Sequence, residues 1–260
     1  MPAHLKQFTL LIVLLLLAAG AKSAELTEAQ ALGLFEKGNN AYKAKDYAAA
    51  EQAYLELMNA GYRSKYLYYN LSNAAFKQGK TGMAILNLER AKSLDPLDED
   101  INFNLRMVYA HTVDKIEPLP LLFHERWWRS LLTRLDPDRW AWFSVIAAWM
   151  ACIAGVAYLF APRVTFKRNA FFLLCGTVAL SLALILMTVA SRSSFGGNDA
   201  AVILSSEAIA KSSPESKSTT LFILHEGTKV ELEESVQEWT KVRIANGNVG
   251  WIESRLMERI

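Results

Sequence analysis

The chain has 260 residues, 52% hydrophobic and 21% charged, with a formal net charge of +2 and two cysteines. So even a balance excludes a surface built to coat nucleic acid, or a partner recruited by bulk charge. The apolar residues are gathered in blocks instead of being dispersed as a single globular core requires, which places the chain in the membrane class.

The first block, Phe8 to Ala19, follows Lys6 and is succeeded by the small residues Ala19, Gly20 and Ala21. This pattern reads as a secretory signal peptide over residues 1–24, with cleavage after Ala21, Ser23 or Ala24. An uncleaved first membrane helix is the alternative. In both readings the segment that follows is exported.

Residues 25–115 echo themselves at a spacing of 34: Asn39, Ala41, Lys43 and Ala50 recur as Asn73, Ala75, Lys77 and Ala84. That is the period of a tetratricopeptide (TPR) helix pair. Two repeats, 31–64 and 65–98, place Gly38 and Ser72 at the small site of the first helix. Ala50 and Ala84 stand at the small site of the second, with Tyr54 and Leu88 as its large packing residue. A third first-helix, 99–113, has no partner helix after it and is expected to cap the array. The first helices would line a groove with Phe35, Asn39, Tyr42 and Lys43 from one repeat, and with Tyr66, Tyr69, Asn70, Asn73, Phe76 and Lys77 from the next. Amides can bond an extended peptide's backbone while rings bury its side chains. The same aromatics would also serve as packing between repeats. Phe35, Asp100 and Asn104 stand where a carboxylate clamp needs cations, so no such clamp is expected.

Residues 119–135 read as an amphipathic helix on the membrane surface, with Leu121, Trp127, Trp128, Leu131, Leu132 and Leu135 on one face and Arg126, Arg129 and Arg134 on the other. Asp136 and Pro137 then restart the chain as a helix. Two apolar runs, 140–161 and 170–190, are each long enough to span a bilayer. The link 162–169 carries Arg163, Lys167 and Arg168, which the positive-inside bias keeps in the cytoplasm, so both flanking domains face the periplasm. Cys152 and Cys175 fall inside the spans and are expected as small buried residues at a helix contact.

Residues 198–260 show five β-like runs, Ala201 to Leu204, Thr220 to Leu224, Thr228 to Glu233, Trp239 to Ile244 and Val249 to Ile252, with a hairpin dipeptide at Asn246-Gly247. A small barrel is expected, with Ser212 to Thr220 as a flexible loop. The strings Leu224-His225-Glu226-Gly227, Trp239-Thr240-Lys241-Val242 and Gly247-Asn248-Val249-Gly250-Trp251-Ile252 resemble a bacterial-type SH3 domain. Trp239 and Trp251 are read either as core filling or as exposed anchors for a ligand.

No constellation for chemistry stands out. His4, His111, His124 and His225 have no partners at metal-ligand spacing, and no phosphate loop or nucleophile motif occurs. No enzyme, cofactor or metal is expected. The spans contain only Ser144, Thr177, Ser181 and Thr188 as polar residues, which argues against a transport path.

The fold class expected is therefore a multidomain membrane protein: an all-α TPR solenoid, a two-helix transmembrane hairpin and a small all-β SH3-like barrel. This order of parts resembles the BatE-type proteins of the Bat (Bacteroides aerotolerance) operon. The resemblance is most specific over Asp98-Glu99-Asp100-Ile101-Asn102-Phe103-Asn104-Leu105, Thr112-Val113-Asp114-Lys115-Ile116-Glu117 and Arg126-Trp127-Trp128-Arg129-Ser130-Leu131. It implies a non-enzymatic inner-membrane protein that works with von Willebrand A-type membrane proteins and a MoxR-type ATPase in oxygen tolerance or envelope stress. An adaptor for envelope proteins is the leading expectation. A cell-wall sensor or tether that binds peptidoglycan through the SH3-like domain is the alternative.

Overall fold

The structure is a computed structural model that describes residues 27–120, 122–195 and 199–260, so the expected signal peptide lies outside the described residues. Among these residues the chain forms eight helices and a seven-stranded open sheet in which all pairings are antiparallel. It divides into two compact units, Met1–Arg63 and Ser64–Ile260.

The first unit contains the helix pair α1 (Glu28–Lys43) and α2 (Tyr47–Asn59). Thr27 and Gln30 form a reciprocal capping box on α1, and the Asp46 carboxylate accepts from the Ala49 N–H to start α2. The two helices approach at Gly38, where any Cβ would run into the Tyr54 ring. A glycine is required there by space, not by backbone conformation.

The second unit opens with α3 (Lys65–Lys77), α4 (Thr81–Leu94) and α5 (Glu99–Tyr109). Ser64 caps α3, and Asp98 accepts from the N–H groups of both Asp100 and Ile101 to cap α5. The Lys65 ammonium spans the α4–α5 turn, bonding Asp95 at 2.6 Å and Asp98 at 2.9 Å. These bonds hold Lys65 above the usual lysine range, and Lys65 in turn holds the Asp98 carboxyl below the carboxylate range.

Helix α6 (Phe123–Leu132) begins later than the expected 119–135. Pro118 and Pro120 keep the preceding chain extended, and the Leu119 N–H is committed to the Ala245 carbonyl at 3.1 Å. Phe123, Trp127 and Trp128 are exposed on α6, while Leu132 is buried and its carbonyl accepts from the Trp140 indole at 3.2 Å and the Ser191 hydroxyl at 3.1 Å.

Helices α7 (Pro137–Phe160) and α8 (Val164–Phe195) are long and apolar enough to cross a membrane. They pack along a stripe of small residues, Ala147, Ala151 and Ala154 on α7, with Ala170, Thr177 and Ser181 buried on α8. Two expectations are corrected here. The link shrinks from 162–169 to 161–163, because Pro162 stops α7 but nothing after it prevents Val164 from starting α8. Cys152 and Cys175 are exposed and free instead of buried at the contact. The alanines take that seam, and Cys152 lies about 100° round the helix from Ala151.

The sheet has the order β3-β2-β6-β5-β4-β1-β7. Its strands are β1 (Ala200–Ile203), β2 (Glu207–Lys211), β3 (Thr220–His225), β4 (Lys229–Val236), β5 (Trp239–Arg243), β6 (Val249–Glu253) and β7 (Met257–Arg259). The Asn246-Gly247 turn is in place, with Gly247 at φ +88°. β2 and β7 add to the five expected runs. The loop between β2 and β3 is closed by its own bonds, Ser212 N–H to Thr219 O at 3.0 Å and Ser218 Oγ to Ser213 O at 3.0 Å. Ala201, Ile203, Ala208, Ala210, Leu224, Val230, Val242, Ile244 and Ile252 make the core of the sheet.

Candidate recognition surfaces

In the first unit, the expected groove residues are partly committed to the helix pair. The Tyr54 hydroxyl donates to Asn39 Oδ1 at 2.7 Å, and the Phe35 ring lies 5.9 Å from the Tyr54 ring. Tyr42 meets Tyr47 edge-on at 5.2 Å, and Lys43 is exposed.

In the second unit, α3 carries the remaining six. Asn104 on α5 donates through Nδ2 to the Tyr69 hydroxyl at 2.8 Å and, more weakly, to Asn73 Oδ1 at 3.4 Å. Phe76 stacks edge-on against His111 at 5.3 Å. Asn70 is half-buried and Lys77 exposed. Tyr66 is 65% exposed, with the Lys65 ammonium 5.1 Å from its ring centre. Tyr66 and Lys77 therefore offer themselves outward, while Tyr69, Asn73 and Phe76 are fixed from behind. Asn104, which orients two of them, was absent from the expected set. Its position 34 residues after Asn70 was the available signal.

Trp239 and Trp251 are both half-buried and neither belongs to the core of the sheet. Small aliphatics fill that core instead. Trp239 lines a surface cavity of about 610 Å³ with Ser216, Glu238, Glu253, Ser254 and Arg255.

The largest surprise is a contact between elements far apart in sequence. Helix α4 lies against β1, and its N-cap residue Lys80 supplies no side-chain cap. The Glu226 carboxylate, from the β3–β4 turn, takes that role and accepts from the Gly82 N–H at 2.6 Å. Near the other end of α4, Arg90 bonds Glu258 at 2.9 Å and the Arg259 carbonyl at 2.6 Å. Between these, Lys229 reaches the buried Glu89 carboxylate at 2.8 Å, which also accepts from the Tyr109 hydroxyl at 2.9 Å. Burial, then the Glu89 charge, push the Tyr109 hydroxyl above its ordinary value.

The segment after α5 completes the dock. Asp114, whose side chain is 14% exposed, accepts from the His225 N–H at 2.7 Å and the Thr228 hydroxyl at 2.6 Å, and lies 2.7 Å from His225 Nδ1. Burial opposes its ionisation, but the Thr228 hydroxyl and the His225 backbone and ring outweigh that and hold the carboxyl below the usual range. Ile116 packs onto the core of the sheet. Gly227, at φ +91°, admits this approach, since a Cβ would come within 2.8 Å of Ile85 and of Thr112.

Among the described residues, no group of three His, Cys, Asp or Glu side chains could hold a metal ion. The chain matches no protein-family model, and none of the curated proteins searched matches it.

Proposed function

We propose that the chain is a non-enzymatic adaptor of the bacterial inner membrane, of the BatE type. Its TPR-type helices and SH3-like sheet work in the periplasm and receive segments of other envelope proteins, among them the von Willebrand A-type proteins that the resemblance implies. The observation that carries the reading is the surface of α3, where Tyr66 and Lys77 flank a phenol and amide strip already held in place by Asn104. Preorganised groups of this kind lower the ordering cost of binding an extended peptide.

The dock supports the membrane arrangement independently of the signal peptide. Asp114 precedes α7 and α8, whereas His225 and Thr228 follow them, yet they touch. If the two helices cross a bilayer, segments in contact on either side of them share one face of it. The basic residues Arg163, Lys167 and Arg168 at the bend support a periplasmic face for the docked body. On that face α6, with exposed Phe123, Trp127 and Trp128, lies in the interface.

A second reading, a tether that binds peptidoglycan through the sheet, draws on the placement of Trp239 outside the core and beside a cavity. One experiment separates the two. Protein crosslinked in native membranes and purified with its partners should lose about tenfold of the recovered partner in Tyr66→Ala/Lys77→Glu and none in Trp239→Ala. Loss confined to Trp239→Ala, with wall fragments as the missing material, favours the tether and removes the groove.

A further inference from the structure

Helix α5 ends its stack with one side bare. Ile101, Leu105 and Val108 are buried, while Phe103 is 61% exposed and Met107 37%. Stacked helical arrays need a polar outer face where they stop, and this helix presents an aromatic ring instead. α6 does not cover it, since the chain between them runs extended onto the sheet at Leu119.

The residues around Phe103 say what fits there. At a spacing of 34 residues, Gly38 and Ser72 are buried small residues, and the third position in that series is the exposed Arg106. A close-packed second helix, of the kind that meets Gly38, cannot be seated over a guanidinium. Whatever covers Phe103 must bring a carboxylate to Arg106. Glu99 lies seven residues before Arg106, two turns away and on the same flank of the helix, with Phe103 between them. Both charges are exposed, and among the described residues neither forms an ion pair.

We propose that this face binds a second copy of the chain, α5 against α5 in antiparallel order about a two-fold axis beside Phe103. In that arrangement a flank faces the same flank of the other copy run backwards, so Glu99 meets Arg106 of the second copy and Arg106 meets its Glu99. The two Phe103 rings meet at the axis. An isologous contact of this kind closes on itself as a dimer. Its area is small, and the bilayer supplies the missing affinity by confining both copies at high effective concentration.

The test uses the full chain in phosphatidylcholine vesicles, with Cys152→Ser and Cys175→Ser removing the native thiols. Phe103→Cys should give a disulfide-linked species of twice the mass under mild oxidation, and Leu97→Cys, off this face, should not. In the Phe103→Cys background, Glu99→Arg alone or Arg106→Glu alone should cut the yield at least fivefold, and the two together should restore it. No linkage above the Leu97→Cys level, or no recovery in the double charge swap, overturns the proposal. So does linkage in native membranes to a different protein in place of the second copy. The Glu99, Phe103 and Arg106 substitutions lie on exposed positions of α5, so unchanged helix content by circular dichroism keeps every outcome interpretable.

Discussion

Replacing Asp114 by alanine should release the sheet from the helices, at a cost of about 3 kcal/mol. The carboxylate satisfies the His225 N–H, the His225 ring and the Thr228 hydroxyl together. Hydrogen exchange in the detergent-solubilised chain reads this directly. Amides of 110–116 and of the β3–β4 turn should exchange about 100-fold faster, with α7 and α8 unchanged. The same site sets a pH dependence. Because folding holds the Asp114 carboxyl below its ordinary value, the undocked chain takes up the proton more readily than the docked one. The stabilisation is therefore complete above the ordinary aspartate value of about 3.9, and is lost as the pH falls from there through the lower docked value. Asp114→Asn should abolish that acid-side loss along with the strength of the dock. Protection unchanged in Asp114→Ala would show that the dock does not depend on this carboxylate.

Gly227→Ala should open the same contact by a different route. At φ +91° an L-residue is strained by about 1–2 kcal/mol, and its Cβ would also sit 2.8 Å from Ile85 and from Thr112. Overpacking adds about 1–3 kcal/mol. Gly79 supplies the control, having φ +78° with nothing within 4 Å of a built Cβ. Gly79→Ala should show the backbone cost alone, about 1–2 kcal/mol, with exchange at the β3–β4 turn unaffected. Equal effects at the two glycines would mean that Ile85 and Thr112 simply move aside.

What the sequence made legible was local. Asp136 and Pro137 mark a helix start that the structure keeps, and the apolar runs that became α7 and α8 form helices long and apolar enough to cross a membrane. Strand β2 was hidden because Glu-Ala-Ile-Ala-Lys alternates through alanines, which carry little strand preference of their own. Its partner β3 supplies the register that makes it a strand. β7 is three residues long and takes its place only by pairing with β1. Leu119 looked like the start of an amphipathic helix, yet its N–H is captured by Ala245, a residue far along the chain.

The dock was illegible for the same reason on a larger scale. Asp114 and His225 are separated by 111 residues, and Gly82 and Glu226 by 144. Neither pair has any spacing that a local pattern could reveal. Lys80, a poor cap before α4, was a local irregularity, and Glu226 explains it from outside the helix. The candidate groove divides in the same manner. Residue type and period chose α3's aromatic and amide face, but only the structure separates Tyr66, which faces outward, from Tyr69 and Asn73, which Asn104 holds in place.

The account rests on α3–α5 and the sheet forming one body on the exported side of a two-helix hairpin. Labelling with a membrane-impermeant maleimide tests it, using a chain freed of Cys152 and Cys175 and given one new cysteine at a time. Leu97→Cys and Val236→Cys should both react in intact cells with a permeabilised outer membrane, and Phe166→Cys should react only after lysis. If the first two react from opposite sides, or Phe166→Cys reacts from outside, the account is wrong.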